Sequence, residues 1–138
     1  MFQTRLPLRF GHCDPAGIAY YPRCFELCDA AVEDWTAAIL GVDRRRMHGD
    51  MRLGLPTVDM HATFHQPCRL GDLLDFTVDV VRVGRSSIDL DVVAACEGSA
   101  RFSVRFTQVL TQLDLGRSVA WPTDFRTALN HALHKEIS

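Results

Sequence analysis

At 138 residues, the chain is long enough to bury roughly 68% of its unfolded surface, which serves one core and falls far short of two. Hydrophobic residues make up 47% and charged residues 23%, with no Gly/Ser- or Pro-rich tract, which excludes disorder, collagen-like repeats and linker arrays. Fifteen Lys and Arg against seventeen Asp and Glu give a net charge of -2, so no global field draws in nucleic acid or an anionic membrane, and any bound anion is held locally.

The first predicted element is a short strand over Leu6 to Phe10. Two arginines among the first ten residues interrupt what a secretion signal would need, and no apolar run reaches the ~20 residues of a membrane span, so a cytoplasmic protein is expected. A long helix follows: Phe25, Cys28, Val32, Trp35 and Ile39 recur at helical spacing on one face, with Pro22 suited to the first turn and Gly41 to the stop. After residue 54 the period changes to two. Val58, Met60, Ala62 and Phe64 alternate with Asp59, His61, Thr63 and His65, predicting a half-buried strand. Leu70-Gly71-Asp72 turns the chain into Leu74, Phe76, Val78 and Val80, up to Gly84. Ile88, Leu90, Val92, Ala94 and Cys96 form the next strand, and Glu97-Gly98 turns it into Phe102, Val104 and Phe106. A short helix is predicted from about Thr123 to His134.

The order of strand, long helix, four antiparallel strands and short helix is an α+β arrangement within one domain over residues 1–138, the long helix covering the apolar face of about five strands. Two open sheet edges invite side-by-side pairing, so at least a dimer is expected. Five cysteines (Cys13, Cys24, Cys28, Cys68 and Cys96) lack framework spacing, and free buried thiols are expected instead of disulfides.

The least ordinary segment runs from Phe10 to Pro22, with four Gly or Pro residues in thirteen, joining the first strand to the helix. Its Asp14 precedes a helix N-terminus, where unpaired N–H groups carry the positive end of the dipole. Two roles are open to that carboxylate: bracing the Pro15 to Gly17 turn, or acting on an electrophile in front of the helix. Asp14-Pro15-Ala16-Gly17-Ile18, followed by Tyr20-Tyr21-Pro22 and by Asp29-Ala30-Ala31, resembles the hotdog-fold acyl-CoA thioesterases, most closely the bacterial 4-hydroxybenzoyl-CoA thioesterase branch. The resemblance runs nearly the full length.

It implies a hotdog fold, an antiparallel sheet wrapped around the long helix, assembled edge to edge as a homodimer or homotetramer. It also implies that Asp14 acts on the thioester as nucleophile or general base, on the Gly17 turn, and that the Tyr21 backbone N–H polarises the carbonyl. Asp29 matches the position that meets a phenolic hydroxyl across the dimer interface, and Tyr20 stands where the similar enzyme carries a tryptophan of the acyl site. Arg85 and Ser87 align with a basic turn, and Arg117 with an arginine, that meet the CoA phosphates; Gly84 and Ser86 occupy positions that are basic there. CoA enters as part of the substrate, and no other cofactor and no metal is implied.

Other signals are weaker. His61 and His65 lie ~13 Å apart on a strand, too far for one ion. Cys24 and Cys28 read as core, Arg44-Arg45-Arg46 as a solvated run after a helix end, and a nucleophilic His12-Cys13 pair lacks a third group. The function implied is hydrolysis of an aromatic acyl-CoA. Aliphatic acyl-CoA or acyl-carrier-protein substrates are the alternative, and a binding protein without turnover is the third.

Overall fold

The computed structural model describes residues 2–137. In chain order the elements are β1 (Phe2–Pro7), a 3-10 turn (Phe10–His12), α1 (Tyr21–Leu40), α2 (Arg44–Gly49), β2 (Leu53–Gly54), β3 (Thr57–Phe64), β4 (Leu73–Val83), β5 (Ser87–Cys96), β6 (Ser99–Val109), β7 (Thr111–Gln112), β8 (Arg117–Ser118) and α3 (Thr123–Ile137). Five strands form an antiparallel sheet in the order β1-β4-β5-β6-β3, while β2, β7 and β8 form a smaller one. This is the hotdog fold.

Period-two patterning fixes the register. Phe76, Ala94, Phe102 and Phe64 share one rung, and Val78, Val92, Val104 and Ala62 the next, all on the helix-facing side. Phe76, Val78, Leu90, Val92 and Phe102 are buried there, each contributing roughly 1.5–3 kcal/mol through the apolar surface it removes from water. The opposite face is polar, with Arg105 gripping Asp91 through two bonds of 2.6 and 2.7 Å.

The α1 stripe that packs down comprises Cys24, Leu27, Cys28, Ala31, Val32, Trp35 and Thr36, the last satisfying its buried hydroxyl on Val32 O at 2.7 Å. Phe25 and Ile39, predicted to lie in the stripe, sit at its margin, half-buried. Gly41 ends the helix at φ 70, a left-handed conformation that glycine adopts without penalty, and its N–H returns to Ala37 O.

Four expectations are corrected. The first strand lies earlier than Leu6 to Phe10: Phe2–Pro7 pairs with β4, the bonding ends where Leu8 meets the turn before β4, its N–H on Asp72 O and its O on Gly71 N–H, and Phe10 begins the 3-10 turn. Arg44-Arg45-Arg46 opens α2 instead of trailing α1, since the Asp43 side chain caps it by accepting from Arg46 N–H at 2.7 Å. The terminal helix continues to Ile137 and, through buried Phe125 and Leu129, shares the covering of the sheet with α1. Lastly, β3 is not half-buried. Val58, Met60 and Phe64 are 62%, 47% and 47% exposed, because α1 packs over β1 and β4 and leaves the far edge uncovered.

The two edges differ. β1 is blunted by Arg5 and Pro7 and tied inward, Thr4 Oγ1 donating to Asp34 at 2.9 Å and Arg5 to Asp75 at 2.7 Å. β3 carries eight residues, most of them exposed, with Asp59 beside an irregularity at its start as its one carboxylate and with no proline.

Candidate active site

The segment between β1 and α1 is a small hairpin. Cys13 pairs with Ala19, Tyr20 N–H donates to His12 O at 2.9 Å, and Asp14 N–H donates to Ile18 O at 2.9 Å. At the tip Gly17 stands at φ 77 with its N–H on Asp14 O at 3.0 Å, so the turn requires the left-handed residue that only glycine supplies freely. The hairpin is sewn to the turn before β4 by Leu70 N–H on Gly17 O and Ala19 N–H on Cys68 O.

Asp14 is exposed at this tip. Its Oδ1 accepts from Ala16 N–H at 2.9 Å and, more weakly, from Ile18 N–H at 3.4 Å, while Oδ2 has no partner among the described residues. The carboxylate therefore braces its turn with one oxygen and offers the other, so both roles read from the sequence are compatible with it. His12 and Cys13 turn elsewhere: His12 Nδ1 accepts from Arg9 N–H and Cys13 Sγ meets Arg9 O. They form no pair with each other.

Tyr21 begins α1 behind an N-cap, Tyr20, that makes no side-chain cap bond; Pro22 has no N–H and the Arg23 N–H donates to Tyr20 O at 2.8 Å, so the Tyr21 N–H is the one left available among these first residues. The hairpin sets Asp14 opposite Ile18, which precedes the helix start by three residues, roughly 10 Å of extended chain. Beside the helix start lies a cavity of about 340 Å³ lined by Ala19, Tyr21, Cys24, Phe64, Cys68 and Phe102, among others. Its walls continue an aromatic ladder, Tyr21 edge-on to Phe64 at 6.3 Å and Phe64 tilted against Phe102 at 5.9 Å. Burial pushes the Cys24 and Cys68 thiols up to about 11, so they are inert walls at neutral pH.

Tyr20 is half exposed and edge-on to Tyr21 at 5.7 Å. Asp29 is exposed one helical turn beyond Phe25, whose ring lies 6.2 Å from Phe64, so it borders the uncovered face of β3. It lies eight residues, roughly 12 Å, along α1 from Tyr21.

Arg85, Ser87 and Arg117 are elsewhere. Arg85 and Ser87 sit at the β4–β5 turn, and the Asp14 hairpin sits at the other end of β4, roughly 33 Å away for eleven residues. Arg117 on β8 joins that far end, since Ser86 O accepts from Leu110 N–H and Leu110 O from Val119 N–H. Both arginines are exposed. Within one chain, then, the structure brings Asp14, Gly17, Tyr20 and Tyr21 together but separates them from the basic end. Sequence reasoning missed Trp121 and Arg126, which bond the backbone of the β4–β5 turn from more than thirty residues away and leave no local signature. Among the described residues no group of three or more His, Cys, Asp or Glu side chains could hold a metal ion, and no helix is long and apolar enough to cross a membrane.

Residues 8–129 match the profile of the Thioesterase-like superfamily. A 1,4-dihydroxy-2-naphthoyl-CoA hydrolase from Thermosynechococcus vestitus is 32% identical over 101 residues, spanning 73% of this chain and 68% of that protein. Among solved structures, a thioesterase superfamily protein from Jannaschia sp. superposes with a TM-score of 0.88 at 25% identity, covering 96% of this chain and 92% of that one. A gentisyl-coenzyme A thioesterase superposes with a TM-score of 0.83 at 21% identity, covering 91% and 99%.

Proposed function

Because the chain belongs to the Thioesterase-like superfamily, we propose that it is a thioester hydrolase that cleaves an aromatic acyl-CoA to the free acid and CoA. The observation that carries this is the carboxylate of Asp14, held by one oxygen at a hairpin tip ahead of an uncapped helix, next to an aromatic-walled cavity. The dihydroxynaphthoyl-CoA named for the cyanobacterial relative supports an aromatic acyl group. Hydroxybenzoyl-CoA is the member of that class to which the sequence motif points.

In this reading the acyl ring enters the cavity and the thioester oxygen meets the Tyr21 N–H. As the carbonyl carbon becomes tetrahedral its oxygen gains charge, and a backbone donor at a helix start stabilises it by about 2.7–4 kcal/mol in comparable sites. Asp14 either takes the proton of an attacking water or attacks directly, giving a mixed anhydride that water then opens. The CoA thiolate leaves in both cases and needs no strong acid.

The separation of the basic end from Asp14 exceeds the reach of a pantetheine arm, so one chain does not complete the site. Pairing two β3 edges antiparallel about a two-fold axis brings the partner's far end beside the first chain's Asp14. It also covers Val58, Met60 and Phe64 and sets Asp29 of one chain facing the partner's cavity. The proposed enzyme is therefore an edge-to-edge dimer, with Arg85, Ser87 and Arg117 supplied in trans.

The test is release of free thiol from 4-hydroxybenzoyl-, benzoyl-, octanoyl- and acetyl-CoA. Fast release from the aryl substrates, lost in Asp14→Asn, is expected, and an Asp14→Asn protein with full rate refutes the mechanism. Preference for the hydroxylated ring that disappears in Asp29→Asn supports the role of Asp29. Octanoyl-CoA as the best substrate removes that role and gives the aliphatic alternative the lead.

A further inference from the structure

The four carbonyls of the β4–β5 turn are all bonded from one direction or another by distant chain. Gly84 O accepts from Arg126 Nη2 at 2.8 Å, and Arg85 O accepts from the same nitrogen at 3.1 Å. Arg85 O also takes the Trp121 backbone N–H at 3.0 Å, and Ser86 O takes Leu110 N–H at 2.7 Å. Ser87 O receives Trp121 Nε1 at 3.1 Å and Gly84 N–H at 2.8 Å.

In a trans peptide unit the N–H points opposite to the C=O, and the described residues contain no cis peptide. One guanidinium nitrogen holding Gly84 O and Arg85 O therefore turns the next two amides, Arg85 N–H and Ser86 N–H, to the opposite side together. Neither has a partner among the described residues. Two successive outward amides make a concavity that suits an anion. The exposed Arg85 side chain stands beside it, and the Ser87 hydroxyl lies against Gly84 so closely that a Cβ there would run into it.

We infer that Arg126 is a positioning residue for the CoA phosphates: with the Trp121 backbone N–H it holds the Gly84 and Arg85 carbonyls inward so that the amides of Arg85 and Ser86 receive phosphate oxygens. This rests on the CoA reading above and deepens it. Gly84 and Ser86, which depart from the basic pattern of the resemblance, then have a physical role: the turn supplies backbone donors in place of the missing side-chain charges. The inward carbonyls also account for a half-buried arginine that pairs with no carboxylate among the described residues.

The test is calorimetric binding of CoA and of pantetheine, which lacks the phosphates, to the purified full chain. Wild type is expected to bind CoA more tightly, with Arg85→Ala losing that margin. Arg126→Met is expected to weaken CoA about tenfold and Arg126→Gln, which keeps a side-chain N–H donor and removes the charge, about threefold, both leaving pantetheine affinity unchanged. Equal loss for CoA and pantetheine means general damage and overturns the inference. Equal loss in Arg126→Gln and Arg126→Met makes Arg126 a direct charge contact and overturns positioning. If Arg85→Ala loses the margin and Arg126→Met keeps it, the CoA site stands and the positioning role falls. Wild type binding both ligands equally refutes the phosphate reading itself.

Discussion

Gly17→Ala is the most informative single change, because its cost can be separated into stability and rate. A Cβ at Gly17 meets nothing within 4 Å, so sterics with neighbours contribute nothing and the whole penalty is conformational, set by φ 77. Placing an L-residue in that left-handed region costs about 1–2 kcal/mol. For a domain of this size that lowers Tm by roughly 3–8 °C. Gly98 in the β5–β6 turn offers an internal control, with φ 78 and the same open surroundings. Gly98→Ala is therefore expected to lose as much Tm as Gly17→Ala. The rates should part company. Strain at Gly17 relaxes by tilting the turn whose N–H groups hold Asp14, and 1–2 kcal/mol of misplacement corresponds to roughly a 5–30-fold lower kcat. Gly17→Asn, better tolerated in this region, should fall between glycine and alanine. The assays are differential scanning calorimetry and thiol release. A Gly17→Ala enzyme with wild-type kcat, or a Gly98→Ala enzyme that loses as much kcat as Gly17→Ala, refutes the argument that the left-handed glycine positions the carboxylate.

Met60→Glu places a charge on the uncovered face of β3 and is expected to shift the protein from dimer to monomer in light scattering, with loss of turnover; Thr4→Glu on β1 leaves the dimer intact. Single turnover in ¹⁸O-water tests the anhydride route, since label found in the Asp14 carboxyl by mass spectrometry requires an anhydride opened at the Asp14 carbonyl; trapping of an Asp14 hydroxamate by hydroxylamine during turnover tests the same intermediate where water opens it at the acyl carbon. Buried Cys24 and Cys68 have thiols raised to about 11, against about 8.5 in the unfolded chain. Their contribution to stability is full below pH 8.5 and is lost as pH climbs to 11, so the urea midpoint should fall across that window and fall less in Cys24→Ala. At pH 8 a thiol reagent is expected to modify only half-buried Cys13 rapidly in the native protein, and all five after denaturation.

The central strands and α1 were legible in the sequence because alternation and 3.6-residue spacing are local. What alternation cannot say is whether anything covers the apolar face, which is why β3 reads as half-buried while Met60 and Phe64 are exposed. The two-residue strands β2, β7 and β8 are shorter than any period. The Asp14 motif and Gly17 turn were visible as a run of unusual residues. The distance between Asp14 and Arg85 was not, since it depends on which end of an eleven-residue strand each loop meets. Trp121 and Arg126 were invisible for a related reason: a donor to a carbonyl some forty residues away has no spacing rule.

The unequal edges of the sheet limit how far assembly can run. A strand pair needs two receptive borders, and a molecule with such a border on both sides would add copies without end, as fibrils do. In the proposed dimer Arg5 and Pro7 guard one border while β3 offers the other, so joining like to like would consume the receptive side of both molecules at once. Growth by this route stops at two, and the ten-stranded sheet that results ends on a guarded margin at each side.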